Sequence, residues 1–293
     1  MTMLLAAIDI GTNAVRLFFS NVFRREGRIM VEKASLVRMP IRLGEDVFVS
    51  GRISGEKTEK LVKTMRAFAL LIDVNQPAAY RALATSAMRE AKNSREVIER
   101  VFEESGIRIE VIDGLQEALL VSAFSDLRLP VERPCHMFID VGGGSTEISL
   151  LQGTSVLASD SFRIGTVRLL NNKVQKKEWV TMKRWLKGYR GAWSEVGLIG
   201  SGGNINKLNK LYGNPASHTL TREQLESGLT HLEGFSLHDR IQELGLRPDR
   251  ADVIVPAGHI FRFIMKQVKA GEIYVPKIGL SDGIVHTLFR DLS

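Results

Sequence analysis

Two short segments combine an aspartate with a glycine-rich turn, a pattern suited to binding phosphate. One reads Ile8-Asp-Ile-Gly-Thr-Asn and the other Ile139-Asp-Val-Gly-Gly-Gly-Ser-Thr. Each opens on an apolar run that predicts a buried strand, so the carboxylate stands beside a turn whose backbone amides face outward. Glycines let the backbone approach an anion, hydroxyls add donors, and the carboxylate can hold Mg²⁺ directly or through water. Together the segments predict a pair of phosphate-binding loops.

A third glycine cluster, Gly200-Ser-Gly-Gly-Asn204, follows a predicted strand and precedes a predicted helix over 205–211. Such a turn presents amides and a helix dipole to an anion. The three loops supply these candidate phosphate ligands: Thr12, Asn13, Gly142, Gly143, Gly144, Ser145, Gly202 and Gly203. The chain has no Gly-x-x-x-x-Gly-Lys-Ser/Thr or His-Glu-x-x-His motif, which excludes a sequence basis for P-loop or zincin chemistry.

Three acids near these loops are candidates for proton or metal chemistry. Glu117 falls in the first turns of a helix that Asp113 could cap, where the helix dipole favours a carboxylate ready to accept a proton. Glu147 opens the strand after the triple glycine and could lie beside Asp140. The residue pattern alone does not distinguish these acids from ordinary surface carboxylates.

Positive charge is concentrated in one stretch of the chain. The net charge is +7, and residues 163–190 hold nine basic residues against the single acid Glu178. Such a block suits a polyanion, whether polyphosphate, nucleotide or nucleic acid, because clustered cations raise the local anion concentration. A solvated helix face that keeps the protein soluble is the alternative interpretation.

Strands alternate with helices, and the aspartate–glycine segment occurs twice, so the sequence predicts a duplicated α/β fold of two domains with a cleft between them. The domains are predicted at 1–128 and 129–293, because two prolines break structure near 127–134. Further predicted helices cover 167–174, 179–189 and 251–270, and Asn93 is predicted to cap another. A last helix over 281–293 has one apolar face, which packs either on the first domain or on a partner.

The composition indicates a protein of the reducing cytoplasm. Cys135 is the only cysteine among 293 residues, which excludes a disulfide framework. The amino end has no basic region and meets Asp9 too early for a signal peptide. No run approaches the roughly 20 apolar residues of a membrane span, so neither secretion nor membrane association is expected.

In order along nearly the whole chain, the motifs resemble the exopolyphosphatase and guanosine pentaphosphate phosphohydrolase family, a branch of the actin, Hsp70 and sugar-kinase (ribonuclease H-like) fold. The matching segments are Asp9-Ile-Gly-Thr-Asn-Ala-Val-Arg-Leu17, Ile41-Arg-Leu-Gly-Glu45, Gly51-x-Ile-Ser54, Ala84-Thr-x-x-x-Arg89-x-Ala-x-Asn93, Ile112-x-Gly114-x-x-Glu117-Ala118, Asp140-Val-Gly-Gly-Gly-Ser-Thr-Glu147, Ser161-Phe-x-x-Gly165-x-Val-Arg168, Arg250-Ala-Asp252-x-Ile254-x-x-Gly258 and Gly279-Leu-x-Asp-Gly283.

The resemblance implies hydrolysis of a terminal phosphate from polyphosphate or from guanosine pentaphosphate, with Mg²⁺ or Mn²⁺ as cofactor. It implies that Glu117 is the base that polarises water, and that Asp140 and Glu147 hold the metal or assist that water. Asp9 joins the implied metal ligands. Arg89 and Arg16 would neutralise charge on the transferred group, as phosphoryl transfer requires.

Four positions depart from the family pattern: Ala14, Gln116, Asn204 and Ser281. These substitutions leave substrate preference open between the two phosphate compounds, and they leave open a non-catalytic sensor that only binds them. A sugar kinase on the same fold is disfavoured by the short chain and the downstream motifs. Nucleic acid is the weaker ligand for the basic block, and a homodimer is compatible with the pattern.

Overall fold

The computed structural model describes residues 2–123, 133–153, 155–189 and 196–293, which form two compact units. The first unit holds the described residues up to 123 together with Leu280–Ser293, and the second holds those from 133 to Gly279. Residues 127–132 of the predicted domain boundary, and Arg190 of the basic block, lie outside the described residues. Among the described residues, no helix is both long and apolar enough to cross a membrane.

The first unit is built around a five-stranded sheet. Its strands are β1 (Met3–Ile10), β2 (Val15–Arg25), β3 (Arg28–Met39), β4 (Ala79–Ala84) and β5 (Ile109–Val111). Its helices are α1 (Leu43–Ser50), α2 (Gly55–Asn75), α3 (Ser86–Glu90), α4 (Ser94–Ser105) and α5 (Gly114–Ser122). The strand order is β3-β2-β1-β4-β5, in which β1 to β3 are antiparallel and β4 and β5 continue parallel to β1.

The second unit repeats this arrangement. Its strands are β6 (Cys135–Val141), β7 (Thr146–Gln152), β8 (Ser155–Phe162), β9 (Val196–Ser201), β10 (Thr219–Thr221) and β11 (Glu272–Tyr274). Its helices are α6 (Thr166–Leu170), α7 (Lys176–Gly188), α8 (Gly203–Tyr212), α9 (Arg222–Glu233), α10 (Leu237–Gln242), α11 (Pro248–Ala251) and α12 (Ile254–Val268). The order β8-β7-β6-β9-β11 again places two antiparallel strands on one side of the central strand and parallel strands on the other, with β10 added at the edge. The predicted duplicated α/β fold is therefore confirmed.

The last helix, α13 (Leu280–Leu292), belongs to the first unit. Ile284, Val285 and Phe289 are buried among residues of β1, β2 and α5. A Cβ on Gly283 would come within 2.1 Å of the Leu120 carbonyl oxygen, so α13 and α5 approach backbone to backbone. The helix thus covers the sheet that begins the chain.

Two predicted helices are shorter than expected. The helix predicted over 167–174 ends at Leu170, because Asn172 takes a left-handed conformation with φ of 55°. The helix predicted over 251–270 corresponds to α12, which begins at Ile254 and ends at Val268, while Ala251 ends the short helix α11. Pro256 would clash with the carbonyl of Asp252 in a continuous helix, and it fits where it stands, in the first turn of α12.

Asn93 stands at the predicted start of α4, but its side chain does not cap that helix. The amide accepts a hydrogen bond from Ile53 N and donates one to Ile53 O, both at 2.9 Å. Asn93 therefore ties the start of α4 to the segment before α2, a long-range contact that local sequence does not encode.

Candidate functional site

The turn between β1 and β2 carries Thr12 and Asn13, and the segment after β3 holds it in place. Arg42 N donates to Asn13 O at 3.1 Å, and Gly44 N donates to Thr12 O at 3.0 Å. The Thr12 hydroxyl shares a 2.8 Å hydrogen bond with Ser86. A Cβ on Gly44 would lie 2.2 Å from the Thr12 methyl group, so only glycine permits this approach. The first predicted loop is thus fixed from two sides.

Asp9 and Arg16 face each other across the same turn as register partners of β1 and β2. Asp9 is 5% exposed, and its Oδ2 lies 2.5 Å from Arg16 NH1. The strongest neighbour of this predicted metal ligand is therefore a cation. Arginine has five N–H donors, so Arg16 keeps others for a phosphate.

Arg89 and Glu117 lie together at the carboxyl end of the parallel strands. Arg89 NH1 donates to Ile112 O at 2.6 Å and lies 4.0 Å from Glu117 Oε2. Glu117 is 7% exposed in the first turn of α5, which Asp113 caps as predicted. Gln116 completes this capping box, which gives its departure from the family pattern a local structural role. The first unit thus brings its predicted acid and arginine into one place.

The triple-glycine loop of the second unit is anchored by α6. Thr166 N donates to Gly142 O at 3.0 Å, and Val167 N donates to Gly143 O at 2.9 Å. The buried Arg168 donates from Nε to Gly144 O at 2.8 Å. Because C=O and the next N–H point in opposite directions in a planar trans peptide, the amides of 143–145 face away from α6. That orientation suits an anion on the outer side of the loop.

Gly165 makes this anchoring possible. A Cβ there would lie 2.4 Å from Gly143 O and from the Gly144 carbonyl carbon, so any larger residue would displace the loop.

Asp140 and Glu147 are register partners of β6 and β7, as Asp9 and Arg16 are of β1 and β2. Glu147 is 2% exposed, and the two side chains bring carboxylate oxygens within 4.8 Å of each other. Ser161 donates to Glu147 Oε1 at 2.8 Å. At equivalent positions, the first unit therefore has an ion pair between an aspartate and an arginine, and the second has two carboxylates. Two carboxylates this close, one buried and one half-buried, favour a bound cation, and an all-oxygen donor set suits Mg²⁺.

The third loop lies against this acid pair. Strands β6 and β9 are parallel, with Asp140 beside Ser201. Gly202 has φ of +100°, and a Cβ there would stand 2.9 Å from Asp140 Oδ1. Gly203 begins α8 with Arg250 NH2 2.7 Å from where its Cβ would be. Gly202 and Gly203 are therefore brought beside Asp140, within a single unit.

The start of α8 carries a positive field. Burial lowers the pKa of Lys207, and the charges of Lys210 and Arg250 lower it further. Lys207, Lys210 and Arg250 thus place three cations near one another, an arrangement that suits an anionic ligand.

Four contributors are not among the predicted site residues: Ser86, Ser161, Arg168 and Arg250. The last three lie in motifs that resemble the family, so those motifs could have identified them as site residues. Ser86 reaches Thr12 across 74 positions, and no local pattern indicates that contact.

Comparison with known proteins gives one consistent result. A profile of the Ppx/GppA phosphatase family matches residues 29–291. The bifunctional 3-dehydroquinate synthase/phosphatase of Fusobacterium nucleatum is 29% identical over 89% of this chain, which spans 43% of that relative's length. Exopolyphosphatase 1 of Mycobacterium leprae is 24% identical over 97% of this chain and 88% of its own length. The solved Ppx/GppA family member of Aquifex aeolicus superposes with a TM-score of 0.78 and 25% identity, covering 100% of this chain and 99% of that one.

Proposed function

Because the chain belongs to the Ppx/GppA phosphatase family, we propose that it is an exopolyphosphatase that hydrolyses the terminal phosphate of inorganic polyphosphate with the help of Mg²⁺. The observation that carries this proposal is the close Asp140–Glu147 pair beside the triple-glycine loop, in which Glu147 is buried and Asp140 is half-buried. Such a pair supplies the cation site and the loop supplies the amides that phosphoryl transfer requires. The similarity to the exopolyphosphatase of Mycobacterium leprae over almost its whole length supports this substrate.

In the proposed reaction, the loop amides at 143–145 with Thr12 and Asn13 bind the oxygens of the terminal phosphate. Arg16 and Arg89 balance the charge of those oxygens. Fixed donors and cations cost no reorganisation when charge develops, so they stabilise the transition state more than water does.

Glu117 is the proposed general base. It accepts a proton from the water whose oxygen attacks the terminal phosphorus, the bond from that phosphorus to the bridging oxygen breaks, and phosphate leaves together with a chain one residue shorter. Arg89, whose NH1 lies 4.0 Å from Oε2, is the cation beside this carboxylate.

Asp140 and Glu147 are the residues that would hold Mg²⁺ or Mn²⁺. When bound, the cation supplies positive charge to the phosphate oxygens. Ser161 orients Glu147 through its hydrogen bond, as residues behind metal ligands commonly do. We assign Asp9 to holding Arg16 in position rather than to direct ligation, because Arg16 occupies its Oδ2.

The experiment is phosphate release by the full chain from long-chain polyphosphate, guanosine pentaphosphate and ATP, each with Mg²⁺ and with EDTA. We expect release from polyphosphate that EDTA abolishes. Faster turnover of guanosine pentaphosphate would transfer the assignment to that substrate. No release from any of the three, with binding retained, would contradict hydrolysis and indicate a sensor.

A further inference from the structure

Helix α7 presents a cationic stripe to solvent. At 100° per residue, its basic residues fall within one third of the helix circumference. Members of the stripe are Lys176, Lys177, Lys183, Arg184 and Lys187. All five are exposed, together with Val180, which is 54% exposed. The stripe extends about 17 Å along the helix axis, from the rise of 1.5 Å per residue.

The opposite face of α7 is committed to the core of its own unit. Met182 and Leu186 are fully buried, Trp179 packs edge-on against Phe263, and Trp185 packs edge-on against Phe162. The rotation of the helix is therefore fixed, and the five cations cannot turn inward. The stripe is a permanent surface feature.

No described carboxylate neutralises the stripe. Other exposed helices of the protein pair their charges along one face, as Arg95 does with Glu99 and Lys60 with Glu56. None of the five cations of α7 forms an ion pair with a described residue. Five like charges on one face repel each other, so an arrangement without acids is typical of a site for an external polyanion.

The chemistry of the stripe favours a phosphate chain over the other polyanionic partners. An interfacial helix needs a broad apolar face for lipid, and the apolar face of α7 is spent on the core. Binding of single-stranded nucleic acid uses exposed aromatic rings for base stacking. The tryptophans of α7 pack against Phe263 and Phe162 instead.

The stripe is connected to the proposed site through the residues that precede it. Phe162, under Trp185, follows Ser161, which donates to Glu147. Lys173 N donates to the carbonyl of Arg168, whose guanidinium holds the triple-glycine loop. The segment that anchors the triple-glycine loop thus leads directly into α7, with the exposed Lys173 between them in the chain.

We propose that the α7 stripe is a second binding site for the same substrate, which holds a distal stretch of a long polyphosphate chain while its end is hydrolysed. This inference rests on the proposed function. The second site would give the enzyme a preference for long chains. A chain already bound at one site is held close to the other, so it binds more tightly than a chain that reaches only one. Tripolyphosphate has only three phosphates, so it cannot occupy the active site and cover the five cations of the stripe at the same time.

The test compares Lys177→Gln/Lys183→Gln/Arg184→Gln with the control Arg25→Gln/Arg28→Gln/Lys33→Gln, which removes three exposed cations from the first unit. Binding of long-chain polyphosphate and of tripolyphosphate is titrated in EDTA at several salt concentrations. For the α7 variant, we expect about tenfold weaker binding of the long chain and a salt slope smaller by about 2, since each lost phosphate contact removes about 0.7. Tripolyphosphate binding stays within about twofold, as does long-chain binding by the control.

The variant Lys177→Arg/Lys183→Arg/Arg184→Lys keeps the charge and should keep long-chain binding, and the thermal midpoints of all variants confirm folding. Equal loss for both chain lengths, equal loss in the control, or tighter binding of DNA than of polyphosphate would overturn the proposal. The titrations measure binding without turnover. The hydrolase assignment is tested separately, by phosphate release from the wild-type protein, so the two proposals can fail independently.

Discussion

Asp9 and Asp140 occupy the same place in the two units, but the residues opposite them carry opposite charges. Arg16 faces Asp9 and Glu147 faces Asp140, each across an antiparallel strand pair. The sequence predicts both aspartates as metal ligands, because both end a buried strand before a glycine turn. It could not separate their roles, since cross-strand neighbours depend on hairpin register.

Removing Arg16 should destabilise the first unit. Arg16→Gln leaves the buried Asp9 carboxylate without its charged partner, and we expect a loss of about 2 kcal/mol in the free energy of unfolding. Urea denaturation at neutral pH measures it. The double variant Asp9→Asn/Arg16→Gln should recover part of the loss, and an Arg16→Gln protein as stable as wild type would contradict the pairing.

At the scale of elements, the helix starts marked by a capping box were predictable, whereas the Asn93 cap expected for α4 does not form and the short connecting elements were not predicted. The capping boxes that start α5 and α9 form at Asp113 and Thr221, because a local side-chain pattern determines them. Helix α1 was not predicted, since its start depends on Arg42 in a left-handed conformation with φ of 58°. That conformation is stabilised from α2, where Lys57 Nζ donates to Arg42 O at 2.6 Å.

Lys57 also contacts Glu45 at 2.9 Å and Asp46 at 3.0 Å. Burial raises the pKa of Glu45, but the hydrogen bond and charge of Lys57, together with Arg42, outweigh it, so the pKa is lowered. A lowered carboxyl pKa contributes stability that is present above its ordinary value of 4.5 and is lost as pH falls through the folded value. The network therefore acts at neutral pH and weakens in acid.

Replacing Lys57 by Met should cost about 2 kcal/mol at pH 7, because three charge-assisted hydrogen bonds disappear. The stability difference from wild type should narrow in acid, below the ordinary carboxyl range. Urea unfolding at both pH values tests this. Lys60→Met, on the same helix with a 60% exposed side chain, is the control and should leave the free energy of unfolding nearly unchanged. A Lys57→Met difference that is unchanged with pH would refute the network.

On the scale of the whole molecule, the duplication was predictable because each unit repeats the same aspartate–glycine segment, and both sheets have the corresponding strand order. That the first unit is built from two separate stretches of the chain, its beginning and Leu280–Ser293, could not be predicted. The apolar face of α13 predicts that the helix packs on something, but amphipathicity does not identify the partner. The structure buries that face against β1, β2 and α5.

Truncating this face should loosen the first unit. Phe289→Ala removes a 3% exposed ring, and we expect a loss of about 3 kcal/mol. Hydrogen exchange should show weaker amide protection in β1 and α5. Leu292→Ala, at a 51% exposed residue, is the matched change and should leave protection intact. Unaltered exchange in Phe289→Ala would mean that α13 does not support the sheet.

The most direct test of the hydrolase assignment is the rate of phosphate release from polyphosphate by Glu117→Gln in saturating Mg²⁺. Glu103→Gln is the control, because it removes an exposed carboxylate from α4 of the same unit. A general base raises the rate at least about 100-fold. We therefore predict that Glu117→Gln lowers kcat by at least about 100-fold and still binds polyphosphate, whereas Glu103→Gln turns over at the wild-type rate. Equal rates for the two variants would contradict the assignment of Glu117 as the base.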